Sequence, residues 1–187
     1  MKLGTKSVLF GAHCFFIHPV FVFFAWWKLY GFPYDPRLWI AFFVHDLGYW
    51  GKPNTDGPEG DMHPYFGAKT MGFIFGIKWY NFCLFHSRFL AKGKGKQYSK
   101  LCVADKLSVA LEPWWFYLPR VILSGEIHEY MALSGGKNNS KYKGEQNDKY
   151  VHINIETGTK RGWFRACSHY LDQWAYEHRN IKVDTWT

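Results

Sequence analysis

The run Leu38-Trp-Ile-Ala-Phe-Phe-Val44 is apolar throughout and ends in two polar neighbours, His45 and Asp46. A buried helix that stops on an imidazole and a carboxylate needs something to satisfy both, because an unpaired carboxylate in an apolar interior costs several kcal/mol. A bound cation does this. Adjacent helical residues point about 100° apart, so the pair clasps one ion only if other helices bring further ligands. His18, His63, His86 and Asp105, each in its own short apolar or Gly-punctuated setting, are the candidates.

The punctuation around these residues predicts an all-α fold. Pro19 suits a first helical turn, so a helix over about 19–30 has His18 at its inner end and stops at Gly31-Phe-Pro33. Asp35 reads as an N-cap with Pro36 at the first position, opening a second helix that runs to His45-Asp46. Residues 49–62, rich in Gly, Pro, Asn and Asp, read as a long loop beside the proposed ions. Further helices are expected over about 64–75, 78–90 (carrying His86), 99–111 (carrying Asp105) and 114–133, the last interrupted at Pro119 and again near Gly125. Ala91 to Gln97 is a basic, Gly-spaced loop. Beyond Gly135-Gly136 the composition turns polar, then alternates over Tyr150 to Glu156 as in a short strand, and residues 161–179 fit an amphipathic helix. The expected organisation is one helical metal-binding domain over residues 1–135, with 136–187 appended to it.

At 187 residues the chain suffices for one sizeable core. Its aromatic fraction of 21% supplies large buried areas, or an oligomer face that sequence does not distinguish from core. A net charge of +8 favours an anionic partner. Cys14, Cys83, Cys102 and Cys167 are scattered in apolar settings without a C-x-x-C pair, which reads as reduced thiols of a cytoplasmic protein. The apolar stretch from Val8 to Trp27 is broken by His13, His18 and Pro19. Its longest clean run falls well short of the ~20 residues a bilayer span needs, so no stable membrane insertion is expected.

The order His18, His45-Asp46, Asp105 on successive helices resembles the H…HD…D signature of the HD-domain superfamily of metal-dependent phosphohydrolases, over roughly residues 8–135. The resemblance implies that these four side chains hold one divalent ion, His18 being preferred to His13 as the first ligand. His63, in Asp-Met-His-Pro-Tyr-Phe-Gly, and His86, in Phe-His-Ser-Arg, resemble the extra histidines of binuclear members, in which the HD aspartate bridges two ions. Small bacterial and phage HD proteins are similar in kind. Two departures stand out. Many members carry H-D-x-G-K, whereas this chain reads His-Asp-Leu-Gly-Tyr-Trp-Gly-Lys52, and the G-Y-P element of cyclic-dinucleotide hydrolases is missing.

Imidazole and carboxylate donors without thiolate suit Mn, Fe, Co, Ni or Zn ions, one or two of them. An ion lowers the pKa of a bound water and neutralises phosphoryl oxygens, so the expected activity is hydrolysis of a nucleotide phosphate ester or anhydride, with His45 and Asp46 at the centre of catalysis. Glu59 and Asp61 are candidate general acids or partners of ligating histidines. Lys52, Arg88, Lys92, Lys94 and Lys106 are candidate contacts to an anionic substrate. Alternative readings are a cyclic (oligo)nucleotide phosphodiesterase, a di-iron oxygenase of HD type, and a non-catalytic nucleic-acid-binding module in which aromatic rings stack bases. Homo-oligomers are compatible with all of these. His128, His152, His169 and His178 read as core histidines bonded to carbonyls.

Overall fold

The computed structural model describes residues 1–134 and 159–180. Its described elements are helical: α1 Leu3–Phe10, α2 His18–Tyr30, α3 Pro36–Val44, α4 Pro64–Phe75, α5 Ile77–Leu84, α6 Arg88–Gly93, α7 Lys100–Leu111, α8 Trp114–Ser124, α9 Glu126–Ser134 and α10 Lys160–His178, with 3₁₀ turns at Leu47–Tyr49 and Gly60–Met62. The all-α expectation holds. The expected strand at Tyr150 to Glu156, the polar stretch before it and His152 lie outside the described residues.

Local chemistry sets the helix ends. The Asp35 carboxylate accepts from Arg37 N at 3.0 Å, and Pro36 opens α3 where no amide partner is needed. α2 and α4 both begin at a His-Pro pair, which brings His18 and His63 to the inner mouths of their helices. α7 packs against both α2 and α10, while α4 and α5 pack against each other. Val22 and Ala25 of α2, Phe42 of α3, Met71 of α4 and Leu101, Val103 and Leu107 of α7 are fully buried together. Each large member of this set contributes about 1.5–3 kcal/mol. Trp174 and Ala175 of α10 complete this core, and Trp163 and Phe164 of the same helix pack with Tyr117, Val121 and Ile127 in a second one.

Four expectations need correction. The helix expected over 78–90 breaks at Phe85 to Ser87, where the Ser87 hydroxyl caps α6 by accepting from Leu90 N at 3.3 Å, so His86 stands in a tight turn. The basic segment is helical up to Gly93 rather than wholly a loop. Pro119 does not interrupt α8; Gly125, at φ 93°, ends it. The N-terminal helix α1 is an addition to the expected elements. His128 and His169 are exposed, whereas His178 is a core histidine with Nδ1 2.7 Å from the Trp174 carbonyl. Many rings are not core: Phe16, Phe73 and Trp115 are 76%, 93% and 63% exposed. No helix among the described residues is long and apolar enough to cross a membrane.

Candidate metal centre

The six side chains singled out in the sequence converge on one buried spot from α2, the end of α3, the start of α4, the α5–α6 turn and α7. They form two groups that meet at Asp46: His18, His45, Asp46 and Asp105 in the first, and Asp46, His63 and His86 in the second. In the first, His18 Nε2 lies 3.2 Å from Asp46 Oδ2 and 3.1 Å from Asp105 Oδ1, and His45 Nε2 lies 3.2 Å from Asp46 Oδ2. In the second, the other carboxylate oxygen, Asp46 Oδ1, is 3.3 Å from both His63 Nε2 and His86 Nε2, which are 3.0 Å from each other.

Backbone carbonyls determine what these nitrogens offer. His45, His63 and His86 each turn Nδ1 onto the carbonyl three residues earlier, of Phe42, Gly60 and Cys83, at 2.9, 2.7 and 2.6 Å. A carbonyl only accepts, so Nδ1 carries the proton and Nε2 of the neutral ring is bare. The second group therefore brings two bare nitrogens and a carboxylate oxygen together, three acceptors with nothing between them to donate. In the first group His18 Nε2, His45 Nε2 and Asp46 Oδ2 are buried without an aligned hydrogen-bond partner. A cation satisfies both groups, and imidazole and carboxylate donors fit a divalent transition metal.

The HD turn is packed tightly enough to aim Asp46 at both groups. A Cβ on Gly48 would lie 1.9 Å from the His63 carbonyl oxygen, so only glycine lets this turn press against the start of α4. Tyr49, next in sequence, is buried and stacks on His63 at a centroid distance of 3.8 Å with rings 17° apart, and it also meets the His13 ring at 4.3 Å. Tyr49 is not among the site residues expected from sequence. Its signal is the His-Asp-Leu-Gly-Tyr spelling, which puts a ring directly after the glycine of this turn.

Charge in the metal-free centre is carried by protons. Burial pushes the His18 and His45 imidazoliums down, but Asp105 and Asp46 outweigh this and raise them to about 9 and about 10. Burial likewise pushes Asp46 and Asp105 up, yet the surrounding histidines, with Lys106 beside Asp105, hold both carboxylates well below their usual range. His63 is the reverse case, brought down to about 4 chiefly by burial.

A metal ion entering at neutral pH must displace protons from His18 and His45, so loading should release protons and apparent affinity should climb with pH, levelling off near 10. Calorimetric titration in buffers of different ionisation enthalpy measures the release. In the metal-free protein the raised imidazoliums stabilise the fold below pH 6.5 and that contribution fades as pH rises through 9 to 10, whereas His63, depressed from 6.5 to about 4, costs stability as pH falls across that interval.

The remaining candidates divide. Lys106 Nζ is 3.6 Å from Asp105 Oδ2, and its side chain remains 38% exposed at the edge of the centre. Arg88 lies near enough to press on the Lys106 charge, its guanidinium 4.5 Å above the Trp174 ring of α10. Asp61 sits half-buried on the turn before His63. Glu59 is not brought to the cluster: it is exposed, with Asn54 Nδ2 donating to it at 2.6 Å. Lys52 is half-buried against α1, its carbonyl accepting from Gly4 N at 3.0 Å. Lys92 and Lys94 are exposed, Lys94 Nζ 6.0 Å from the Tyr65 ring centre. The loop before His63 is held by Glu129, which accepts from Thr55 N and its hydroxyl at 2.9 and 2.7 Å, a tie that sequence does not suggest.

A helical chain with a buried His and Asp cluster that could hold one or two metal ions is the class these observations define. Comparison with protein-family models, curated proteins and solved structures finds no match.

Proposed function

We propose that this chain is a metal-dependent phosphohydrolase of HD type that hydrolyses a phosphate ester or anhydride of a nucleotide. The observation that carries the reading is the division of Asp46, one carboxylate oxygen facing the Nε2 atoms of His18 and His45 and the other facing those of His63 and His86. That arrangement suits a pair of ions sharing a carboxylate, with His18, His45, Asp46 and Asp105 holding one and Asp46, His63 and His86 the other. When bound, such ions supply Lewis acidity, which makes a water nucleophilic at neutral pH and offsets phosphoryl charge.

The protein's own contributions are orientation and charge. The Phe42, Gly60 and Cys83 carbonyls set the ring tautomers, and Tyr49 keeps His63 in plane. Lys106 and Arg88 supply positive charge beside the centre, consistent with an anionic substrate, and the net charge of +8 favours its approach.

Metal-stripped protein reloaded with Mn²⁺, Co²⁺, Ni²⁺ or Fe²⁺ and screened against nucleoside mono-, di- and triphosphates and cyclic nucleotides tests the reading. Turnover that depends on added metal supports it, and inactivity on all of these with every metal rejects it. His86→Ala should lower the bound metal from two ions to one, because it leaves only His63 and Asp46 in the second group. Wild-type metal content in that variant would count against the binuclear assignment. The same sulfur-free donor set around a shared carboxylate also suits a di-iron oxygenase, and iron with a redox-dependent spectrum is the result that would favour that reading.

A further inference from the structure

A buried carboxylate lies outside both metal groups, and part of the fold is arranged around it. Glu126 opens α9 and is completely buried. Its Oε2 accepts from Ala12 N at 2.9 Å and from the Ser124 hydroxyl at 2.5 Å, and its Oε1 accepts from the hydroxyls of Ser7 and Tyr130 at 2.5 and 2.9 Å. Gly11 leaves the room for it, since a Cβ there would stand 2.0 Å from Oε2. Burial pushes this carboxyl up, and the nearby His13 with the Ser124 and Ser7 hydroxyls brings it down to about 2, so it is ionised.

The Ser7 hydroxyl has one proton and gives it to Glu126. Its oxygen can therefore only accept from His13 Nδ1, which lies 2.7 Å away and 3.5 Å from Glu126 Oε1. In the neutral ring Nδ1 therefore holds the proton and Nε2 is bare. That nitrogen faces Asp46 Oδ2 across 4.0 Å, too far for a hydrogen bond. His13 belongs to neither metal group, and with its side chain 18% exposed it is open to an incoming molecule, whereas those of His18 and His45 are 4% and 1% exposed. The Tyr49 ring packs against it, centroids 4.3 Å apart and tilted by 34°, which limits how the imidazole can turn.

We propose that His13 is a catalytic base of this centre and that Glu126, acting through Ser7, is the positioning residue that keeps its bare nitrogen turned toward the reacting water. The proposal rests on the hydrolase reading above. As water attacks a phosphoryl group at the Asp46 face, its oxygen forms the new bond to phosphorus and its proton passes to Nε2. The bond from phosphorus to the leaving oxygen breaks, and that oxygen takes a proton from solvent. The imidazolium then returns its extra proton to solvent, having been stabilised meanwhile by the Nδ1–Ser7–Glu126 chain.

Glu126→Gln makes a specific test. The Ala12 N–H cannot reverse, so the amide oxygen must stay at the Oε2 position, and the NH₂ group replaces Oε1. It donates to Ser7 and Tyr130, whose hydroxyls turn round. Ser7 then points its proton at His13 Nδ1, and the neutral ring must move its own proton to Nε2. Nitrogen NMR of the zinc-loaded protein should find His13 protonated on Nδ1 in the wild type and on Nε2 in Glu126→Gln. Both Glu126→Gln and His13→Gln should lose about 10²- to 10⁴-fold in kcat with metal content unchanged, and added imidazole should partly restore His13→Ala. Wild-type kcat in His13→Gln overturns the proposal, as does loss of an ion in that variant, which would make His13 a ligand, or an unaltered tautomer in Glu126→Gln. Wild-type protein that turns over no nucleotide sinks the hydrolase reading and this role with it; active wild type beside an equally active His13→Gln sinks only the latter.

Discussion

Asp46→Ala is expected to leave the protein with at most one weakly held metal ion and to abolish its turnover. Asp46 is the only side chain common to both groups, Oδ2 serving His18 and His45 and Oδ1 serving His63 and His86. Its removal leaves the second group with two imidazoles and no anion, too few donors for a closed site. The first group retains His18, His45 and Asp105 but loses half of its negative charge. The ions are asked to supply several kcal/mol of transition-state stabilisation, and since each 1.36 kcal/mol is a factor of ten, the loss in kcat/KM should reach at least about 10³-fold. Elemental analysis beside a turnover assay decides the matter. Two tightly bound ions in Asp46→Ala would show that the ligands are others.

Arg120→Ala is the substitution expected to cost the most stability outside the core. The guanidinium ion-pairs through Nη2 with Glu112, donates from Nη1 to the Gly11 carbonyl at 2.8 Å and from Nε to the Phe116 carbonyl at 3.2 Å. Glu112 ends α7, the helix that carries Asp105, and its side chain is completely buried. Burial already pushes that carboxyl up against the pull of Arg120. Taking away the cation strands a buried carboxylate and frees the turn that carries His13, a loss of about 3–5 kcal/mol that should appear as a fall in Tm of roughly 10 °C. The double replacement Glu112→Gln with Arg120→Met removes both charges and should recover part of the loss, because the main cost is the unpaired charge. Thermal melts of the three proteins check this. A double variant less stable than Arg120→Ala would show that the ion pair itself, and not its stranded half, carries the energy.

Much of the centre is legible in the amino-acid sequence because its ligands sit at helix boundaries that Pro and Gly mark. Pro19 and Pro64 announce helix starts beside His18 and His63, and the polar pair after an apolar run announces the end of α3. His86 reads as a ligand candidate even though periodicity extends its helix too far. Its turn depends on the Ser87 cap and on the Cys83 carbonyl, which local periodicity does not register. Glu59 is attractive as a site residue because it lies close to His63 along the chain. In space Asn54 holds it at the surface.

Residues that act by long-range packing are beyond the reach of sequence patterns. Ser7 and Glu126 are 119 positions apart, and nothing in either neighbourhood signals that one will bond the other. Tyr49 becomes a wall of the site only once the HD turn closes against α4. Composition and periodicity are local properties, so they specify helices, their ends and the polar residues that a core will not tolerate unaided. Which oxygen of Asp46 meets which imidazole, and which nitrogen of His13 is bare, depends on backbone carbonyls and hydroxyls delivered by helices distant in the chain, and those are decided when α1, α4, α7 and α9 pack.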